Sequence, residues 1–240
     1  MAYSFPAHEG PPSDDSRTDL PSPARRASLG KQVALRVRKW WVIKMLSTFF
    51  GMVLFFIGYV ALLRHPLFPV TIMPLTFFDG LIRFRSEALP VYLSLWFYVL
   101  GAPALIADRT ELRSYAAISI LLSLIGLGIF LVWPTAVPAP KDTWTDDAAF
   151  AFLKSVDDSG NACPSLHVAF AVFTAAWFDR LLLQMGTGRL LQNCNFLWCA
   201  AIAYSTLALR QHVMLDVVAG AALGAGAAAV NFFWLQWKQA

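Results

Sequence analysis

The chain has 240 residues, 58% of them hydrophobic and 14% charged, against roughly 45–50% and about 25% in a soluble domain. That balance excludes an ordinary water-soluble enzyme. At about 20 apolar residues for each crossing of a roughly 30 Å hydrocarbon layer, the length accommodates around six spans and little else. The net charge of +4 is small, and no basic stripe is interleaved with aromatics, so no nucleic-acid partner is expected.

Residues 1–30 hold Pro6, Pro11, Pro12, Pro21 and Pro23 among Ser, Asp and Arg, which reads as a disordered cytoplasmic tail without the apolar run of a secretory signal. Residues 31–240 read as the membrane domain. Lys31, Arg36, Arg38 and Lys39 followed by Trp40 and Trp41 mark the entry of a helix into the cytoplasmic interface. A first span is expected at about 42–63. The segment 64–87 carries Pro66, Pro69, Pro74, Asp79, Arg83 and Arg85, which suits a connector lying along the membrane surface better than a crossing. Apolar runs at about 88–107, 114–133, 164–180, 190–209 and 212–236 complete the set. The expected fold is all-α, a polytopic six-helix transmembrane bundle.

Cytoplasmic loops carry the excess of Lys and Arg. With the N-terminus inside, 13 of the 19 lie on the inner side and 6 outside. Both termini are then cytoplasmic, and the segment 134–163 faces the opposite side. The absence of a signal peptide and the short polar loops fit a bacterial inner membrane. Cys163, Cys194 and Cys199 sit in or beside apolar segments without paired metal or disulfide spacing, and read as small buried side chains.

The chemistry-bearing residues gather at two places. Pro164-Ser165-Leu166-His167 runs straight into the fourth span, which puts Ser165 and His167 in a first helical turn, where free N–H groups and the positive dipole end favour an anion such as phosphate. The sixth span is expected to open with Ser205-Thr206 and to carry His212 and Asp216, four residues apart. On a helix that spacing puts both on one face, so the carboxylate fixes the imidazole tautomer and leaves the other nitrogen free to act. An ionisable side chain set into a span is a functional candidate by default. Asp216, Gly220 and Gly224 form one small-residue stripe, and His167, Ala171 and Ala175 another. If these faces pack on each other, the two histidines meet at the outer end.

These motifs resemble those of the membrane-bound type 2 phosphatidic acid phosphatase superfamily, which includes lipid phosphate phosphatases and haloperoxidases. Pro164-Ser165-Leu166-His167 is similar to its Pro-Ser-x-His, and Ser205 with His212 and Asp216 to its Ser-Arg-x5-His-x3-Asp. The resemblance extends over roughly residues 85–230. The Pro-rich lead from Pro134 to Pro140 and the approach through Asp157, Asp158 and Asn161 look closer to the branch containing inositol phosphorylceramide synthase. Two positions depart from the family pattern: Thr206 stands where the family has Arg, and the first motif, Lys-x6-Arg-Pro, has no clean copy.

The resemblance implies metal-independent phosphoryl transfer on a lipid phosphoester, with no cofactor. His212 would attack phosphorus, Asp216 orient it, and His167 serve as general acid and then base through a phosphohistidine. Ser165, Asn161, Arg210 and Lys154 would bind substrate, the last two replacing the missing arginine. A non-catalytic lipid-binding or transport protein is the alternative, against which stands the coincidence of His167, His212 and Asp216 at one membrane face. A soluble haloperoxidase fails on the apolar spans.

Overall fold

A computed structural model describes residues 28–139 and 160–238. The expected disordered tail lies outside the described residues except for its last few positions, as does Lys154. Eight α-helices make up most of the described chain: α1 (Leu29–Arg38), α2 (Trp41–Arg64), α3 (Phe77–Leu81), α4 (Leu89–Leu105), α5 (Arg109–Val132), α6 (Leu166–Gln184), α7 (Arg189–Ala208) and α8 (Met214–Trp237). Two-residue strands β1 (Thr71–Ile72) and β2 (Thr135–Ala136) pair in parallel, and a 3-10 turn over Ser86–Ala88 leads into α4.

The apolar runs become helices because hydrocarbon offers a backbone no partner, so each N–H and C=O must be satisfied within its own segment. Among the described residues, five helices are long and apolar enough to cross a membrane, namely α2, α4 with its lead-in turn, α5, α6 and α8, which marks an integral membrane protein. The apolar run expected at about 190–209 forms α7, 20 residues long, but Gln192, Asn193 and Asn195 make it more polar than the other five, and it is not among the helices apolar enough to cross. Asn195 is accommodated inside the bundle: its Nδ2 donates to the Ala175 carbonyl (2.9 Å), and its Oδ1 accepts from the Tyr98 hydroxyl.

Consecutive long helices alternate in direction, so the C-termini of α2, α5 and α7 share one end with the N-termini of α4, α6 and α8. Helix α6 is central, packing on α4, α7 and most closely on α8. Trp177, Phe173 and Leu181 are fully buried along it, and Tyr115 of α5 stacks on Phe173 and meets Trp177 edge-on. At the far end, cations satisfy carbonyls that the C-terminus of α4 leaves unpaired. Lys44 Nζ donates to the Ala104 carbonyl (2.7 Å) and Arg36 Nη1 to that of Leu105 (3.3 Å). Glu111 of α5 there accepts from Arg180 and Gln184 of α6, each at 2.8 Å.

The connector 65–88 does not form a spanning helix and folds across the end that gathers the chemistry. Its strand β1 joins β2, Arg85 N–H donates to the Ala208 carbonyl at the end of α7 (3.0 Å), and α3 abuts the start of α8 through Asp79. Leu67, Phe68, Leu75, Phe77, Phe78 and Leu81 are exposed on its outer face.

Candidate active site

Helix α6 begins at Ser165, whose buried hydroxyl caps it by accepting the Val168 N–H (3.3 Å). Ser165 is thus the cap itself, one residue ahead of the first turn, and its own N–H donates to the Asp216 carbonyl of α8 (3.0 Å). His167 is the second residue of α6. Its Nε2 lies 2.9 Å from the Tyr92 hydroxyl of α4. The two rings are 4.9 Å apart, and Trp96 approaches the imidazole edge-on at 6.1 Å.

His212 arrives from the other side and is not helical, which corrects the shared-face expectation. The Thr206 carbonyl at the end of α7 accepts both Gln211 N–H (3.0 Å) and His212 N–H (3.2 Å). Arg210 adopts a left-handed conformation (φ 57°), a turn that ends α7, and Val213 is extended (φ −102°, ψ 166°), so α8 starts at Met214. Asp216 therefore reaches back from the first turn of α8. Its Oδ2 accepts the Val213 N–H (2.9 Å) and lies 3.5 Å from His212 Nδ1. Asp216 is fully buried and His212 nearly so.

The geometry brings the two histidines together, with ring centroids 5.7 Å apart. What permits this is backbone contact between α6 and α8. A Cβ on Gly220 would lie 2.3 Å from the Ser165 carbonyl oxygen, and one on Gly224 2.3 Å from that of Ala169. The glycine stripe thus packs on Ser165 and Ala169, not on the expected stripe below His167. Ala171 and Ala175 face α4 and α7 instead, packing with Leu95, Cys199 and Ile202. This rotation of α6 turns His167 toward Tyr92 while leaving it beside His212.

The remaining expected substrate contacts fall in different places. Arg210 lies next to the site, but its Nη1 and Nη2 donate to the carbonyls of Asp79 (3.1 Å) and Ile82 (2.7 Å). Asn161 is buried with φ 52° and donates to the Tyr59 carbonyl (3.1 Å). Thr206, standing where an arginine was expected, is fully buried and turns its hydroxyl onto the Ala203 carbonyl of its own helix (2.8 Å).

Two residues that the sequence reading did not single out as site residues hold this end together. Asp79 is buried and accepts from Met214 N–H through Oδ1 (2.7 Å) and from Thr76 N–H and hydroxyl through Oδ2 (both 2.7 Å). Its Thr76-x-x-Asp79 spacing is a helix-start signature, legible in principle. Tyr92 had no such signal, being one aromatic in an apolar span. Cys163 donates its N–H to Thr135 Oγ1 (2.8 Å). Burial, with Asp216 adding to it, pushes its thiol up to about 11.

The arrangement presents a buried carboxylate behind one imidazole, with a second imidazole beside it at a ring separation of 5.7 Å. A family model described as the PAP2 superfamily matches residues 112–240, a stretch that contains Ser165, His167, His212 and Asp216 but neither Tyr92 nor Asp79. Comparison with curated proteins and with solved structures gives no match. With more than half of the chain matched, and both histidine motifs inside the match, the protein belongs to the PAP2 superfamily.

Proposed function

We propose that this protein is a phosphoryl-transfer enzyme of the membrane that acts on lipid phosphoesters through a phosphohistidine. The observation that carries the reading is the approach of the His167 and His212 rings to 5.7 Å, with the Asp216 carboxylate behind His212. Family membership is consistent with a phosphatase or phosphotransferase acting on lipid phosphates.

With Nδ1 of His212 turned toward Asp216, Nε2 attacks phosphorus, and the carboxylate stabilises the imidazolium character that develops as the P–N bond forms. His167 protonates the departing ester oxygen, and in the second step removes a proton from the incoming water or alcohol. Tyr92 holds the His167 ring and accepts from its protonated form. The N-terminal end of α6, capped by Ser165, and the charge of Arg210 favour the phosphate electrostatically. Asn161, buried and bonded to the Tyr59 carbonyl, orders the lead into Ser165, and the acidic composition of the outer segment, with Lys154 as a further cation in its sequence, suits a polyhydroxy or cationic headgroup of the kind an inositol phosphorylceramide synthase-like branch would handle.

We propose that α7 also crosses, bringing the count to six, with its polar side chains held by contacts inside the bundle. The Lys and Arg distribution, 13 against 6, supports cytoplasmic termini and an extracytoplasmic site, and the short polar loops suit a bacterial inner membrane. The test is release of phosphate, or transfer of labelled phospho-headgroup, by purified protein with chelator present. His212→Ala should lower the rate far more than tenfold. A loss below tenfold, about 1.4 kcal/mol, overturns the nucleophile assignment.

A further inference from the structure

We infer that the cavity between α2, α4, α5 and α6 holds one acyl chain of the substrate and measures its length. The inference rests on the proposed lipid phosphoester chemistry and adds to it where the chain goes: into the bundle rather than along its outer surface.

The cavity has a volume of about 340 Å³. Tyr92 and His167 line one end of it, so it opens directly onto the histidine that faces His212. From there it runs along apolar walls, with Phe55, Trp96 and Phe170 among them, to a far end lined by Ser47, Pro103 and Leu112. On α2 alone its walls extend from Leu63 back to Ser47, about 24 Å at 1.5 Å per helical residue. That is the reach of a long acyl chain hanging from a phosphate at the histidines, and an apolar slot of this depth releases free energy only by enclosing apolar surface. A headgroup or a hydrated ion would leave its polar groups unpaired there.

The space exists because α2 stands off from its neighbours. Within α2 only Lys44 is buried, and that residue sits at the far end. A Cβ added to Gly51, which lines the cavity, meets nothing within 4 Å. Gly51 therefore marks room in the lower half of the slot, where a longer side chain would raise the floor without displacing a neighbour.

The experiment compares phosphatidates of short, medium and long acyl chains in mixed micelles, on wild type, Gly51→Phe and Gly128→Phe. Gly128 also has open space at its Cβ but does not line the cavity, so its variant controls for a bulky ring on a membrane helix. Gly51→Phe should lower the ratio of long-chain to short-chain kcat/KM at least tenfold, with Gly128→Phe unchanged. An unchanged ratio in Gly51→Phe, or an equal change in both variants, overturns the inference while leaving phosphoryl transfer intact. A second readout does not depend on turnover. A phosphatidate with a photoactivatable diazirine at its acyl terminus should label Met52, Phe55 or Ala116 inside the cavity. Labelling confined to the outward Phe50, Leu54 and Ile57 would contradict it, and cavity labelling in a protein without turnover would retain the acyl site and remove the catalytic reading.

Discussion

Helices α8 and α2 pack on the same bundle in opposite ways. At the α6–α8 contact the backbones touch, since Gly220 and Gly224 leave no room for a methyl group against the Ser165 and Ala169 carbonyls. About a fifth of the apolar stretch of α8 is buried (22%) and half of that of its partner α6 (50%), whereas none of that of α2 is, and α2 bounds an open cavity. The tight pair fixes the distance between two catalytic candidates carried by different parts of the chain. The loose helix provides space for a flexible apolar ligand and requires no such precision.

The sharpest way to break this contrast is to act on the close pair. His167→Ala should lower turnover about 10²–10⁴-fold, the usual range for a positioned acid or base, measured as kcat at saturating lipid phosphate. Gly220→Ala forces a methyl onto a backbone oxygen that cannot swing away, so it should cost about 1–3 kcal/mol of stability as overpacking does, and should lower activity by moving His212 from His167. Thermal unfolding in detergent beside the kinetic assay checks both effects. Gly51→Ala, the same substitution on the loose helix, should leave Tm unchanged, and a drop equal to that of Gly220→Ala would erase the distinction between the two regions.

Smaller effects sharpen the site itself. Tyr92→Phe removes one hydrogen bond to His167 Nε2, for which ~0.5–1.5 kcal/mol is the usual net contribution. It should lower kcat about two- to tenfold, with little change in KM. The pH profile separates positioning from packing: Tyr92→Phe should shift the limb that reports His167, while Tyr92→Leu should in addition lower Tm. Cys163, its thiol raised to about 11 by burial, stays protonated at pH 8 and should resist N-ethylmaleimide until the protein unfolds. The sign of this linkage is that the unfolded chain ionises first. The thiol therefore detracts from stability only as pH climbs from its ordinary value near 9 toward 11.

The long apolar helices were legible because hydrocarbon enforces helicity on any run long enough to cross it, and their ends fall within a few residues of the hydropathy boundaries. His167 and His212 were legible from motif spacing and so was their meeting, but its cause was assigned to the wrong face of α6. Small residues line α6 on several sides, and sequence does not tell which of them receives Gly220 and Gly224. The four-residue step from His212 to Asp216 suggests a helix face, yet Val213 is extended (φ −102°, ψ 166°) and the helix begins only at Met214. An acid three residues after Val213 is a helix-start signal, which competes with the i,i+4 reading at the same spacing. Asp79 and Arg210 bind across more than 125 residues of chain, a pairing that no local pattern announces.

The proposed chemistry requires His212 to carry the phosphoryl group between two half-reactions assisted by His167. Rapid quenching with phosphatidate labelled at phosphorus, followed by peptide mapping, tests it most directly. The account predicts a label that is stable in base and lost in acid, as a phosphoramidate is, on the peptide containing His212 and absent from His212→Ala. Turnover with no covalent label, or a label that persists in His212→Ala, would contradict it.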